Sequence, residues 1–554
     1  MRRLEFNLAD LFECVADHVP QREALVAGST RLTYRELDER ATRLAHGLKE
    51  LGVRPHDHVG LLLANGAEYL EAMLACYKLR AVPVNINHRY VEDELAYLFD
   101  DADLVALISH RSFAPRLDAV RTRSQGLRVI VEVDDTSDVR GATDAVPYEE
   151  VLASGSPVRD FPPRSADDRY ILYTGGTTGL PRGVVWRQED IFFAALGGGN
   201  PGGPRIERPE DIGPSVVGNP AGRVRPFLAP GSAPPDFVSL GLGPLMHAGG
   251  QWSALGTLLG GGRAVIYTDA HMDMTEVLRL IEHERIVALN LVGDPSGRPL
   301  LAALRDAPDA YDASSLLMLG SGGSMLSAEV KHGLFDALPN LLAIIEGIGS
   351  SESPAQAVSV TNRAGAPTTQ SLRFAAKAET MVVDGDLRPI TPGSGEVGRL
   401  ATRGYVPVGY YGDPERTART LVEIDGHRWV LPGDMATIDA DGTVELLGRG
   451  SLCINTGGEK VYPEEVEAVL VAHPKVADAV VVGAPDKQWG QRVVAVVQPA
   501  RADDPPDLAE LRAHCAGRLA GYKAPRTLRV VKAVQRSPAG KADYGWATAI
   551  ANGD

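Results

Sequence analysis

Apolar positions along the chain switch repeatedly between a helical and a strand period. Leu8, Leu11, Phe12 and Val15 line one face of a helix predicted over 7–18, and Ala24-Leu25-Val26 reads as a short strand. Thr33 can cap a second helix and Glu36 completes its capping box, while Leu37, Ala41, Leu44 and Leu48 carry the buried stripe until Gly52 ends it. Strand, helix and strand follow at His58 to Leu63, Glu68 to Leu79 and Ala81 to Asn85. This alternation recurs to about residue 450, so the sequence predicts an α/β fold of layered subdomains with substantial parallel sheet.

Two stretches depart from the alternation. Residues 197–235 hold enough Gly and Pro to prevent regular structure, and elements of the same class resume after them, so they read as an irregular insertion near the site. Beyond Gly448 the pattern gives a helix around Glu464 to Leu470, strands at Ala477 to Val482 and Val493 to Val497, a helix at Leu508 to Leu519, and a strand near Thr527 to Val531. That is the size of a small α+β domain, with its boundary near Arg449.

Composition narrows the function classes. A chain of 554 residues, 44% hydrophobic, is too long for one core and rich enough for several. The net charge of −16 argues against a nucleic-acid or anionic-membrane partner, so any phosphate ligand needs a local basic patch. Cys14, Cys76, Cys453 and Cys515 are scattered, which fits a reducing compartment and suggests no metal-thiolate site. Met1-Arg2-Arg3 leads into Leu4-Glu5-Phe6-Asn7 rather than an apolar signal core, and no apolar run is long enough to span a membrane. The expectation is a cytoplasmic protein, its assembly open between monomer and homodimer.

The most informative stretch is Tyr170 to Val184, YILYTGGTTGLPRGV. A short strand runs into a loop where Gly175, Gly176, Gly179 and Gly183 allow close backbone approach, Thr174, Thr177 and Thr178 add hydroxyls, and Arg182 adds charge. A nucleotide polyphosphate is the ligand such a loop suits. It is not a Walker A loop, and it carries no dinucleotide fingerprint.

The stretch resembles the Tyr-Thr-Ser-Gly-Thr-Thr-Gly-x-Pro-Lys-Gly signature of the adenylate-forming superfamily, which includes acyl- and aryl-CoA synthetases, luciferases and peptide-synthetase adenylation domains. Gly175 stands for the usual Ser and Arg182 for the usual Lys. Further motifs follow in the superfamily's order, so the resemblance spans nearly the whole chain. Pro244-Leu245-Met246-His247 resembles the motif whose imidazole flanks the acyl pocket, and the loop Gly320 to Ser324, with Gly322, resembles one lining the nucleotide pocket. Glu346-Gly347-Ile348-Gly349-Ser350-Ser351-Glu352 resembles the adenine and metal motif; it implies nucleotide contacts along the run and Mg²⁺ on Glu352 and Thr177.

Asp434, in Trp429 to Asp434, resembles the ribose-binding Asp, and Arg449 the Arg that meets ribose or phosphate. Just past it the superfamily pivots on a hinge, here within 449–452, where Ser451 and Leu452 replace the usual residue. The implied architecture is an N-terminal adenylation domain over 1–448 and a small mobile α+β domain over 453–554. Asn455 to Val466 resembles the loop that enters the site for the second half-reaction, with Gly457 and Gly458 lining a pantetheine tunnel and Lys460 as a cofactor contact. Lys541, in Arg536 to Lys541, resembles the Lys that stabilises negative charge as the anhydride forms.

The finer pattern is most similar to actinobacterial acyl-CoA synthetases acting on sterol side chains and other bulky acids. The implied activity is ATP-dependent adenylation of a carboxylic acid, with Lys541, Thr177, Glu352 and His247 as catalytic residues, followed by thioester formation with CoA. Pro354 and Gly545 depart from that branch. Three alternatives stand beside it: a diazotase using an aromatic amine and nitrite, transfer to a carrier-protein thiol, and a non-catalytic nucleotide-binding module.

Overall fold

The computed structural model describes residues 4–124, 126–175, 180–308, 310–322, 326, 328–354, 356–365, 373–449, 454–461, 463–535 and 543–553. Near the N-terminus the elements stand where periodicity predicts them. Asn7 caps helix Leu8–His18 by accepting from Ala9 N at 3.0 Å. Thr33 and Glu36 form the expected capping box on helix Tyr34–Glu50, with Glu36 N donating to Thr33 Oγ1 at 3.2 Å and Thr33 N to Glu36 Oε2 at 2.8 Å.

Parallel sheet dominates the first two layers. One sheet sets Val82–Asn85, His58–Leu62, Leu104–His110, Val129–Val133 and Val146–Pro147 side by side, all parallel. A second has eight strands in the order Ala357–Asn362, Ala343–Ile348, Met318–Gly322, Ala288–Leu291, Val238–Gly241, Arg263–Ile266, Glu23–Ala27 and Thr30–Thr33, antiparallel only at its two outer pairings.

The two faces of this larger sheet differ. Leu240, Leu289, Leu319 and Ile344 lie in one register row, fully buried under helices Met274–Glu284, Gly293–Asp306 and Ala328–Ala337. The next row, Gly241, Asn290, Gly320 and Ile345, points to the opposite face, and all four stay only half-buried although their strands are central. Helix Ala248–Leu259 lies over that face: Thr257 and Ser239 pair their hydroxyls at 2.7 Å, and Asn290 Nδ2 donates to Ser253 Oγ at 2.8 Å. Gly241 and Gly320 place no side chain on that face.

Two expectations need correction. Alternation stops well before residue 450: from Ala357 onward short strands separated by Gly turns pair antiparallel, and a further antiparallel sheet joins Arg169–Gly175, Pro181–Arg187 and Gly409–Tyr410. The segment 197–235 is not wholly irregular. Short helical pieces form at Pro209–Asp211, Ile212–Gly218 and Gly222–Phe227, because Ile212, Val216, Ala221 and Val224 bury against the rest of the protein.

The C-terminal domain has its own five-stranded sheet, built from Ile454–Thr456, Glu459–Val461, Val476–Asp486, Gly490–Pro499 and Thr527–Val530. One face packs on helices Pro463–Val471 and Leu508–Cys515, the other on helix Tyr544–Asn552, which the sequence reading did not predict. The expected pivot residues Ser451 and Leu452 lie outside the described residues.

A buried ionic cluster ties the first helix to the N-terminal core. Lys78 Nζ reaches Glu13 and Asp38, each at 2.7 Å, and Arg164 reaches Asp10 at 2.6 Å and Glu13 at 2.8 Å. Burial pushes the Glu13 carboxyl up, but Lys78 and Arg164 outweigh it and pull the group down to about 2.

Candidate active site

Strand Arg169–Gly175 carries the chain into the predicted phosphate loop and Pro181–Arg187 carries it out, with Thr174 opposite Arg182 and Gly175 opposite Pro181. Gly183 is required there, since a Cβ would stand 2.7 Å from the Tyr173 ring. Gly176, Thr177, Thr178 and Gly179 lie outside the described residues, as does Lys541. Arg182 does not stand free for a phosphate: its guanidinium contacts Tyr97 Oη and lies 3.3 Å from Asp101. Two acidic neighbours, Asp101 and Asp413, draw its charge sideways.

Two asparagines that sequence reasoning missed organise this region. Asn85 Nδ2 donates to Tyr173 O at 2.8 Å and to Met246 O at 2.7 Å, while its Oδ1 accepts from Tyr173 N at 2.7 Å. One buried amide therefore joins the strand entering the phosphate loop to the turn that presents His247. Asn65 supports the same turn, accepting from Leu245 N at 2.8 Å and donating to Tyr267 O at 3.0 Å. Each Asn ends an apolar strand or follows one, where a polar residue is the expected punctuation, so nothing in the sequence singles it out.

The segment Glu346 to Glu352 divides between the two sheet faces. Glu346 is buried on the helical face with Lys331 Nζ at 2.5 Å. Gly347 pairs with Gly322 in the neighbouring strand, and a Cβ on Gly322 would lie 3.5 Å from Gly347 O. Gly349 sits in a tight turn where a Cβ would fall 2.3 Å from Pro354 O, with Ser350 and Ser353 exchanging backbone hydrogen bonds. Trp186 Nε1 donates to Ser351 O at 3.0 Å, and Tyr410 Oη donates to Glu352 Oε1 at 2.6 Å. Burial, and then the Glu352 charge, raise the Tyr410 phenol above its ordinary value, so the phenol keeps its proton and remains the donor. The side chain of Ile348 is outside what is described.

Asp434 opens strand Asp434–Ile438, buried, with Arg449 as its register partner on the next strand and Gly433 before it at φ +98°. A left-handed backbone there favours Gly and turns the chain sharply into the strand. The side chain of Arg449 is outside what is described.

The hairpin Ile454–Val461 of the C-terminal domain reaches the large domain at His247 and Val292. Gly457 and Gly458 form its turn at φ +61° and +84°; a Cβ on Gly457 would strike the Trp489 ring at 2.6 Å, and one on Gly458 would strike Val292 Cγ1 of the large domain at 2.8 Å. Past the turn, Glu459 is buried with His247 Nε2 at 3.2 Å and Arg89 at 3.0 Å. Burial pushes the Glu459 carboxyl up, and the charges of His247, Arg89 and Lys523 reverse this and hold it below the carboxylate range. Lys460 points from the same hairpin, half-buried. A second bridge spans the domains, Lys523 Nζ to Glu94 at 2.7 Å, both buried. Sequence reasoning marked His247 but not Glu459, Arg89, Lys523 or Glu94. The signal was the period: Ile454, Thr456, Glu459 and Val461 occupy buried positions of a hairpin, and a charge among them must be paired.

Among the described residues no cluster of three or more His, Cys, Asp or Glu could hold a metal, and no helix is long and apolar enough to cross a membrane. Comparison with known proteins agrees with this layout. Residues 12–411 match the AMP-binding enzyme family and residues 465–541 the AMP-binding enzyme C-terminal domain. The chain is 41% identical over 553 residues to a 3-oxocholest-4-en-26-oate–CoA ligase of Rhodococcus rhodochrous, covering 98% of this chain and 96% of that one. It is 43% identical over 543 residues to a medium/long-chain-fatty-acid–CoA/3-oxocholest-4-en-26-oate–CoA ligase of Mycobacterium tuberculosis, covering 98% and 95%. Among solved structures it is similar to an amide bond synthetase of Marinactinospora thermotolerans, with a TM-score of 0.75 at 25% identity over 98% and 99% of the two chains.

Proposed function

The chain belongs to the AMP-binding enzyme family, and from that premise we infer that it is an ATP-dependent, AMP-forming acid–CoA ligase. The observation that carries the reading is the glycine hairpin of the C-terminal domain seated against His247 and Val292, where a CoA thiol would have to pass. In this reading the substrate carboxylate attacks the α-phosphorus of ATP and pyrophosphate leaves. Lys541 stabilises the charge that develops, and Asp434 receives the ribose hydroxyls. The thiol of CoA then attacks the acyl carbon, a carbon–sulfur bond forms, and AMP departs as the anhydride bond breaks.

Mg²⁺ fits this site. Glu352, fixed by Tyr410, offers the hard oxygen donor that Mg²⁺ takes, and with Thr177 it would hold an ion that neutralises phosphate charge. The acid is elongated or bulky. The half-buried face of small residues beneath helix Ala248–Leu259 supports this, as do relatives whose names specify medium- and long-chain fatty acids and a 3-oxo sterol acid. An enzyme drawing on ATP and CoA belongs in the cytoplasm. The diazotase reading is not favoured, because relatives above 40% identity over nearly the whole chain are CoA ligases.

The test is a substrate panel followed by AMP and pyrophosphate release. Fatty acids and 3-oxocholest-4-en-26-oate are tried with and without CoA, and aromatic amines with and without nitrite. Acid-dependent AMP release with a thioester product supports the ligase; AMP release that needs amine and nitrite but ignores CoA overturns it.

A further inference from the structure

Arg223 stands at the deep end of the half-buried sheet face. It lies in the turn Gly222–Phe227, between Ala221 and Val224, which pack with Phe237, Ala288 and Met318 at the strand ends remote from Gly322 and Gly347. Its Nη2 is 2.9 Å from where a Cβ on Gly256 would stand and 3.5 Å from that of Gly197. Gly256 lies on helix Ala248–Leu259, nine residues past His247, so the guanidinium sits about 13 Å further along that helix. Gly249, Ser253 and Gly256 share one helix face and leave space along the way.

Among the described residues the guanidinium has no partner. Lys78, Arg164 and Lys523, which are more deeply buried, each meet a carboxylate, whereas among the described residues no ion pair or hydrogen bond reaches the half-buried Arg223 side chain. Burial alone pushes its pKa down, with no acidic neighbour to oppose it, while part of the side chain stays exposed beside Gly256 and Gly197. A partly buried, unpaired cation costs the fold something, and a ligand oxygen would relieve that cost. A guanidinium presents several donors in a planar fork, suited to a carbonyl or, in bidentate fashion, to a carboxylate.

We propose that Arg223 ends the acyl pocket and donates hydrogen bonds to a carbonyl oxygen, ketone or carboxylate, at the far end of the substrate acid. The proposal deepens the ligase reading and rests on it. Such a site selects acids that carry a second oxygen function remote from the reacting carboxylate. Gly256 belongs to the same device, since any side chain there would displace the guanidinium.

The experiment compares kcat/KM for three acids of equal chain length: a plain fatty acid, its keto derivative oxidised near the far end, and the corresponding diacid. The wild type favours one or both oxygenated acids, and the preferred arm identifies ketone or carboxylate. In Arg223→Met the ratio of oxygenated to plain acid falls about 10- to 100-fold, the range expected for a hydrogen bond to a charged group. Gly256→Ala lowers the same ratio. A misfolded fraction reduces both rates and cancels in the ratio, so poor folding does not obscure the result. Turnover of the plain acid with a ratio equal in wild type and Arg223→Met overturns this proposal alone; absence of AMP release with every acid overturns the ligase reading and this proposal with it.

Discussion

His247 of the large domain and Glu459 of the small domain meet across the domain boundary, Nε2 to Oε1, at 3.2 Å. The contact sets the glycine turn of the hairpin against Val292. In the ligase reading it makes Glu459 a positioning residue for the thioester-forming step.

Glu459→Gln therefore slows thioester formation relative to acyl-adenylate formation. Leaving Arg89 and His247, both more than a third exposed, without their carboxylate costs about 1 kcal/mol in the docked pose, enough to lower the ratio of the two rates several-fold. Rapid-quench measurement of both products gives this ratio.

Lys523 and Glu94 form the second tie between the domains, and burial makes a broken pair expensive. Lys523→Met or Glu94→Gln alone weakens docking by about 3–5 kcal/mol, whereas the double variant, which leaves no lone charge, recovers part of the loss. A double-mutant cycle on the CoA-dependent step measures the coupling, and strict additivity would contradict it.

Asn85→Ala removes three buried hydrogen bonds at once and loosens both Tyr173 and the Met246 carbonyl. We expect a stability loss of roughly 1–3 kcal/mol and a drop in kcat larger than stability alone explains. Denaturant unfolding beside steady-state kinetics separates the two.

Acid weakens the N-terminal core through Glu13. Its carboxyl titrates lower in the folded protein, at about 2, than the ordinary 4.5, so its stabilisation is fully present above pH 4.5 and is lost as pH falls from 4.5 towards 2. Lys78→Met removes the principal cation and flattens this acid dependence, while costing about 3–5 kcal/mol at neutral pH. Unfolding midpoints of both proteins between pH 3 and 7 provide the comparison.

The parts of the fold legible in the sequence were those set by local pattern. The first two helices and their caps follow from apolar spacing and from Thr33 with Glu36, and the parallel sheet follows from the alternation around them. The helical pieces inside 197–235 were hidden, because their stability comes from burying Ile212, Val216 and Val224 against distant elements, not from propensity. Within the candidate site the motifs name Glu352, on a loop held by Tyr410, and Asp434, at the start of a strand beside Arg449. The pairing of Glu346 was not legible, because register decides which face of a strand a carboxylate takes, and Lys331, fifteen residues earlier in sequence, meets it on the helical one. Partnerships such as His247 with Glu459 join residues over two hundred positions apart, and spacing carries no trace of them.

The central claim is a two-step ligase, and single-turnover analysis with a long-chain acid, ATP and Mg²⁺ tests it most directly. Without CoA, acyl-adenylate and pyrophosphate accumulate to one equivalent per enzyme; on addition of CoA the adenylate decays as acyl-CoA and AMP appear together. Adenylate that persists in the presence of CoA, or AMP released with no thioester, would contradict the account.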